Sequence, residues 1–460
     1  MMLIIIFLAL LVRLPGILAG NFAFTYDTGR DLLAISDLLT TGDIHLIGHT
    51  TGIIGVFYGP WWYWVLTIPF FVTRGNPIAL TAFIAILASF SAGLAFWWGT
   101  RAFNYTFGLI VGLLLALSPD IIKITNQLWN PHLLVPTTLL VVMLLKNIER
   151  LTLPKLIILG VLLGLLSEFE IIFGILFILG FLLTRPRKIL PVLFGIIIVE
   201  IPRILFELRN GFIQTKSFLG SFANSESVWQ LHTKRDWLIY ESLSTVLPGP
   251  PWMQNIFVLI ILYLIITSWR KFPKLQKKFI ATLLLIIGIF WTAIFVYPRD
   301  FWHYYLLGLP VLYAFVVAFV VSRLPIHFVI VYLLFAIQPI KLIQSIAKPQ
   351  FVGNAAVYHN QIEVVQTLYK ETTSDFKYIA YTPPQIDYTW KYLFRWENTK
   401  KYQYKLSEDP PIMYVILEPD EAYPERIKEW LRVRAKDGVV VSEKKFPSGI
   451  IVQTRRLKWN

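Results

Sequence analysis

From residue 2 to about residue 342 the chain is a succession of apolar stretches with short polar breaks: 2–19, 56–73, 78–99, 132–146, 156–167, 169–183, 189–206, 254–269, 279–297, 304–322 and 324–342. About 20 helical residues cross the ~30 Å hydrocarbon core of a bilayer. The shorter stretches must therefore borrow length from their flanks. A further apolar stretch, 105–118, ends at Ser118-Pro119. Over the 460 residues, 56% are apolar and 15% charged, against about 25% charged in a soluble domain. A soluble fold could not keep that much apolar surface from water. The expected fold class is an all-α polytopic membrane protein of about eleven transmembrane helices, with a small C-terminal α/β soluble domain.

The division comes from charge. Residues 1–340 hold 23 Lys/Arg and 14 Asp/Glu, while 341–460 hold 19 and 14. We place a membrane domain at 1–342 and a soluble domain at 343–460. In the latter, 354–371 and 421–434 have helical periodicity. Segments 376–382, 412–418, 438–446 and 449–455 read as strands, the last two joined at Pro447-Ser448-Gly449. No nucleotide-binding glycine-rich loop and no internal repeat stand out. With no Cys, zinc–thiolate sites, iron–sulfur clusters and cysteine nucleophiles are excluded. The net charge of +14 reads as orientation signals rather than a nucleic-acid surface.

Three basic clusters set the orientation: Lys146, Arg150 and Lys155; Arg185, Arg187 and Lys188; and Arg270, Lys271, Lys274, Lys277 and Lys278. With these inside, the first loop (20–55), the large loop (207–253), 298–303 and the tail face outward. Eleven spans satisfy this if 105–131 dips in and returns on the outer side. Met1–Ala19 reads as an uncleaved first span.

Acids are scarce in the membrane domain, yet Asp27, Asp31, Asp37 and Asp43 share its first loop. If the segment from Thr28 is helical, Asp27, Arg30 and Asp31 cluster at its first turn, and Leu32, Leu33, Ile35, Leu38 and Leu39 give it an apolar side. Two roles fit Asp27: a helix cap paired with Arg30, or a reactive carboxylate. The loop continues through Gly48-His49-Thr50-Thr51-Gly52 to Tyr58-Gly59-Pro60-Trp61-Trp62-Tyr63-Trp64, an interfacial aromatic belt that is also a wall for a sugar or prenyl chain. Glu168 and Glu170 fall at the turn of a short hairpin. They read either as solvated turn residues or as ligands for an acceptor or a divalent ion. Glu200 lies one turn from Arg203, and the pair reads as a structural ion pair.

Taken in order, the Asp27…Gly29-Arg30-Asp31 loop, Gly59-Pro60 before aromatics, Trp129-Asn130-Pro131-His132, Pro202-Arg203 with Phe206 to Phe212, and Tyr297 to Pro310 with His303-Tyr304-Tyr305 resemble a known family. It is the lipid-linked-sugar glycosyltransferases of the GT-C fold: family 39 and its protein mannosyltransferase-like and aminoarabinose transferase-like bacterial relatives. The resemblance covers about 1–325. One position departs: many relatives carry Asp-Glu at the first-loop site, where here Thr28 follows Asp27, so the next acid is Asp31.

The resemblance implies a membrane glycosyltransferase at the outer face of the cell membrane. Its donor would be a sugar on a polyprenyl-phosphate carrier, its surroundings membrane lipids, and its acceptor a protein, lipid or glycan, with no nucleic-acid partner. Inverting transfer needs a carboxylate to take the acceptor proton, and Asp27 fits by position. It also needs cations or donors for the lipid phosphate. Arg30, Arg203, Arg209, Arg299 and His303 lie near the expected outer face, as do Asp31 and Tyr304 for substrate; headgroup anchoring is the plain alternative for the cations. Glu168, Glu170, Asn130 and His132 are the candidates for acceptor or metal, the metal being a divalent ion held with Asp27. The competing functions are a lipid-linked-sugar flippase or transporter, and a membrane-anchored binding protein working through its tail.

Overall fold

The structure is a computed structural model that describes residues 1–184, 188–223, 235–297, 301–347 and 351–457. The chain separates into two compact units. One comprises 1–14, 44–68 and 81–345; the other comprises 15–43, 69–80 and 346–460.

Helices dominate the chain up to residue 347. They are α1 (Met2–Leu18), α2 (Tyr26–Thr41), α3 (Trp61–Thr73), α4 (Pro77–Ala102), α5 (Tyr105–Leu117), α6 (Pro119–Ile124), α7 (Leu134–Leu145), α8 (Leu153–Phe169), α9 (Ile171–Thr184), α10 (Ile189–Arg209), α11 (Ile213–Ala223), α12 (Arg235–Ser244), α13 (Pro251–Ser268), α14 (Lys274–Val296), α15 (Leu309–Val321), α16 (Ile326–Ile337) and α17 (Pro339–Ala347). Among the described residues five helices are long and apolar enough to cross a membrane: α4, α10, α13 with the turn after it, α14, and α16 running into α17. Shorter apolar helices of 10–17 residues accompany them. The chain is a multi-pass membrane protein.

In the first unit α8 and α10 lie closest. A Cβ on Gly160 would fall 2.1 Å from the Val192 carbonyl oxygen, and one on Gly195 2.2 Å from that of Ile157. Only glycine permits this approach, and small residues let apolar helices pack where water cannot drive them together. At one end of the unit, Lys146 Nζ donates to the Ala102 carbonyl. There Lys278 pairs with Glu149 at 3.7 Å, and the Phe103 ring sits 5.8 Å from that of Phe279. This is the basic end. At the other, the buried Arg13 guanidinium donates to the carbonyls of Ala116 (2.7 Å), Leu115 (2.9 Å) and Ala9 (3.1 Å) and to Thr125 Oγ1 (3.0 Å). It thereby satisfies carbonyls that the C-terminus of α5 leaves open. Ser118 Oγ donates to the Thr245 carbonyl at the same end.

Within 105–131, the segment expected to dip and return, α5 starts beside Phe103 at the basic end and finishes at Arg13. The stretch 56–73 forms α3, which is not among the five helices long and apolar enough to cross. Among the described residues, five of the expected eleven stretches thus form helices of spanning length, and α1, α5, α7, α9 and α15 are shorter apolar helices. Asp120 and Lys123 lie on α6, which follows α5.

The second unit contains α2 and the C-terminal region, with α18 (Tyr358–Glu371), β1 (Phe376–Tyr381), α19 (Tyr388–Asn398), β2 (Ile412–Leu417), α20 (Pro424–Val433), β3 (Val439–Lys445) and β4 (Ile451–Arg456). The sheet order is β1-β2-β4-β3, with β1 and β2 parallel and the other pairs antiparallel. All four expected strands form. Gly449, at φ +88°, supplies the left-handed turn of the final hairpin. One sheet face packs Tyr381, Met413, Val415 and Leu417 against Ile427, Trp430 and Leu431 of α20. The other receives α19, with the Phe394 ring stacked 3.9 Å from Tyr378. Helix α19 was absent from the sequence reading: its apolar positions are aromatic and interleaved with charge (Tyr-Thr-Trp-Lys-Tyr-Leu-Phe-Arg-Trp-Glu-Asn).

Candidate functional site

Helix α2 begins at Tyr26, two residues before the expected start at Thr28. Thr25 is the N-cap residue, with extended backbone, and Asp27 falls within the first turn, where a carboxylate meets the positive end of the helix dipole. Arg30 Nη1 lies 2.6 Å from Asp27 Oδ1, and Arg30 Nε is 2.9 Å from Asp31 Oδ1. One guanidinium thus serves two carboxylates. Asp31 is buried, while Asp27 keeps 24% of its side chain exposed. Burial pushes the Asp27 carboxyl up from the usual carboxylate range, Arg30 pulls it back down, and the Asp31 charge adds to the upward shift. The result is a partly exposed carboxylate with raised basicity, beside a cation.

The buried side of α2 carries Thr28, Gly29, Asp31, Leu32 and Ile35, and α19 lies against it. Gly29 would place a Cβ 2.4 Å from the Tyr388 carbonyl oxygen. Arg395 pairs with Asp37 at 2.6 Å. Tyr392 Oη donates to the Gly75 carbonyl and Trp396 Nε1 to that of Arg74.

In the first unit, Glu168 and Glu170 are 0% and 1% exposed, which overturns their reading as solvated turn residues. The loop before α3 folds over them. Its backbone pairs Tyr58 with His49 and Gly48 in a short hairpin. Tyr58 Oη donates to Glu170 Oε2 at 2.8 Å. Gly59 has no room for a side chain, because a Cβ there would meet the Glu168 carboxylate at 1.8 Å. Arg203 Nη2 lies 3.2 Å from Glu168 Oε1 and 2.5 Å from Glu200 Oε2, and Ser167 Oγ donates to Glu200 Oε1 at 2.8 Å. The expected Glu200–Arg203 pair therefore exists, with Glu168 as a third member. This network compensates charge inside an apolar unit.

Of the remaining candidates, His132 and His303 line one cavity, Tyr304 lies beside them, and Asn130 bonds the residue between Glu168 and Glu170. Asn130 Nδ2 donates to the Phe169 carbonyl at 2.6 Å, and His132 Nδ1 is 3.1 Å from the Gln127 carbonyl. The Tyr304 ring meets the edge of Trp129 at 5.1 Å, and His303 beside it is exposed. Arg209 is exposed at the last turn of α10. Arg299 lies outside the described residues, as do Arg185 and Arg187 of the second basic cluster. Among the described residues no group of three or more metal-ligating side chains forms. Sequence reasoning missed Tyr58, whose partner is more than a hundred residues away, and the role of Arg13, whose partners include carbonyls of α5 and Thr125 at the end of α6.

Neither the family models nor the curated proteins contain a match to this sequence. Among solved structures, the chain is similar to the aminoarabinose transferase ArnT from Cupriavidus metallidurans in its apo state. The TM-score is 0.58 at 11% identity, covering 98% of this chain and 97% of that one. The fold is of the GT-C type along nearly the whole chain.

Proposed function

We propose that the protein is an integral membrane glycosyltransferase. It moves a sugar from a polyprenyl-phosphate carrier to an acceptor hydroxyl at the outer face of the cell membrane, with Asp27 as general base. One observation carries this reading: the first turn of α2, outside the spanning helices, holds a partly exposed carboxylate of raised basicity beside an arginine, on a chain that shares its fold with an aminoarabinose transferase.

The chemistry follows from those groups. Asp27 takes the proton as the acceptor oxygen attacks the anomeric carbon. The bond from that carbon to the phosphate oxygen breaks, and the lipid phosphate leaves with the electron pair, so a single displacement inverts the configuration. Arg30 is the cation nearest Asp27 and supplies donors for the departing phosphate. Arg30, paired with both Asp27 and Asp31, offsets part of the upward push that burial gives the Asp27 carboxyl.

The test is reconstitution of the purified protein in vesicles with a panel of polyprenyl-phosphate sugars. Release of polyprenyl phosphate with a new glycoside, lost in Asp27→Asn, is the expected result. Movement of the intact lipid-linked sugar between leaflets, without release, would assign the chain to the flippases instead.

A further inference from the structure

At the end of the first unit opposite the basic clusters is a cavity of about 150 Å³. Its walls come from α6 and the turn after it, from α12, and from the 303–310 segment. Asp120, Lys123, Gln127, Trp129, Glu241 and His303 line it, and neither the Asp27 cluster nor the Glu168–Arg203 network does.

Its frame is tied together. Asp120 Oδ2 accepts from Ser244 Oγ at 2.9 Å, and Ser118 Oγ reaches the Thr245 carbonyl at 2.7 Å. These bonds join α6 to the end of α12. His132, also in the wall and 3% exposed, faces the Gln127 carbonyl with Nδ1. A carbonyl can only accept, so Nδ1 carries the proton and Nε2 is left as an acceptor. Trp129 Nε1 is a buried donor with no hydrogen-bond partner. Buried N–H groups are seldom left unpaired in a native protein, and this one belongs to a cavity wall.

The mixture of groups identifies the ligand class. A phosphate wants donors alone, and two carboxylates would repel it. An apolar chain would make no use of Asp120, Lys123 or Glu241 and would cover the Trp129 Nε1 donor without giving it a partner. Sugar hydroxyls both donate and accept, so they suit carboxylates, a lysine and an imidazole acceptor placed side by side. The C–H face of a sugar ring suits the indole and the apolar wall of Ile124, Leu306, Leu307 and Pro310. We propose that this cavity binds one sugar ring of a transferase substrate, with Glu241 and Lys123 bonding its hydroxyls and Trp129 packing on it. The proposal rests on the glycosyltransferase reading for its purpose but not for its binding chemistry.

Saturation-transfer NMR of the full-length protein in detergent, with methyl glycosides of hexoses, pentoses and hexosamines, tests the site. At least one glycoside should bind. Glu241→Gln and Lys123→Met should each weaken it about tenfold, as expected for hydrogen bonds to charged groups. Both side chains are exposed, so neither change threatens folding, and Glu429→Gln on α20 serves as control. Binding by no glycoside, or binding that both variants leave intact, overturns the proposal.

A second arm separates donor from acceptor. If the ring belongs to the donor, the bound glycoside inhibits donor consumption and Glu241→Gln raises the donor KM. If it belongs to the acceptor, the glycoside accelerates donor consumption and becomes glycosylated. Sugar binding without any transfer would leave the site standing and remove the transferase reading. Transfer that needs Asp27 but ignores the cavity variants would do the reverse.

Discussion

Gly29 and Tyr388 meet backbone to backbone: a Cβ on Gly29 would lie 2.4 Å from the Tyr388 carbonyl oxygen and 2.6 Å from the Thr389 nitrogen. The helix that carries Asp27 is thus held by a helix some 360 residues later in the chain. Gly29→Ala should push α2 off α19, because backbone atoms cannot swing aside as a side chain can. We expect about 1–3 kcal/mol of destabilisation, read as a lowered Tm in detergent. Transfer should fall even at temperatures where the variant is folded. Full activity with an unchanged Tm would show that the contact does not position α2.

Asp27→Asn removes the base and keeps the shape. Transfer should drop by about 10²–10⁴-fold with an unaltered elution profile. Asp31→Asn, at a buried position, should instead lower Tm as well, since Arg30 loses one of its two partners.

The pH profile has a defined sign. Asp27 must be ionised to act, so the rate falls as pH drops through its pKa. Burial raises that pKa above the usual carboxylate range and Arg30 lowers it. Arg30→Gln should therefore move the acid limb of the kcat profile to higher pH. An acid limb that does not move would mean that a different group titrates.

Arg203 stands between Glu168 and Glu200. Arg203→Met should cost about 3–5 kcal/mol, because it strands two acids in apolar surroundings. Glu200→Gln should cost less, as Arg203 keeps Glu168. Equal losses of thermal stability in the two variants would contradict this order.

A crossing by α5 can be tested directly, because the chain has no Cys and any introduced thiol is unique. Tyr105→Cys and Lys123→Cys, both at exposed positions, should react with an impermeant maleimide from opposite sides of the membrane. Labelling from one side would show the dip instead.

Much of this protein was legible in its order of residues. Hydropathy is a local, additive property, so the apolar stretches announced a polytopic membrane protein. Short runs rich in β-branched and aromatic residues announced the four strands, and the spacing of Asp27, Arg30 and Asp31 placed them on one turn. What stayed hidden depended on partners distant in sequence. The stretches 56–73 and 105–118 are alike as local text, but only the second runs from the basic end to the buried Arg13, with α15 packed along it. Glu168 and Glu170 look like turn residues until Tyr58 and Arg203 arrive from distant segments to compensate them. The residues alone determined the solvent of each part and the chemistry on offer. Tertiary structure decided which acids are buried, because a charge in an apolar interior is tolerable only where the fold brings it a partner.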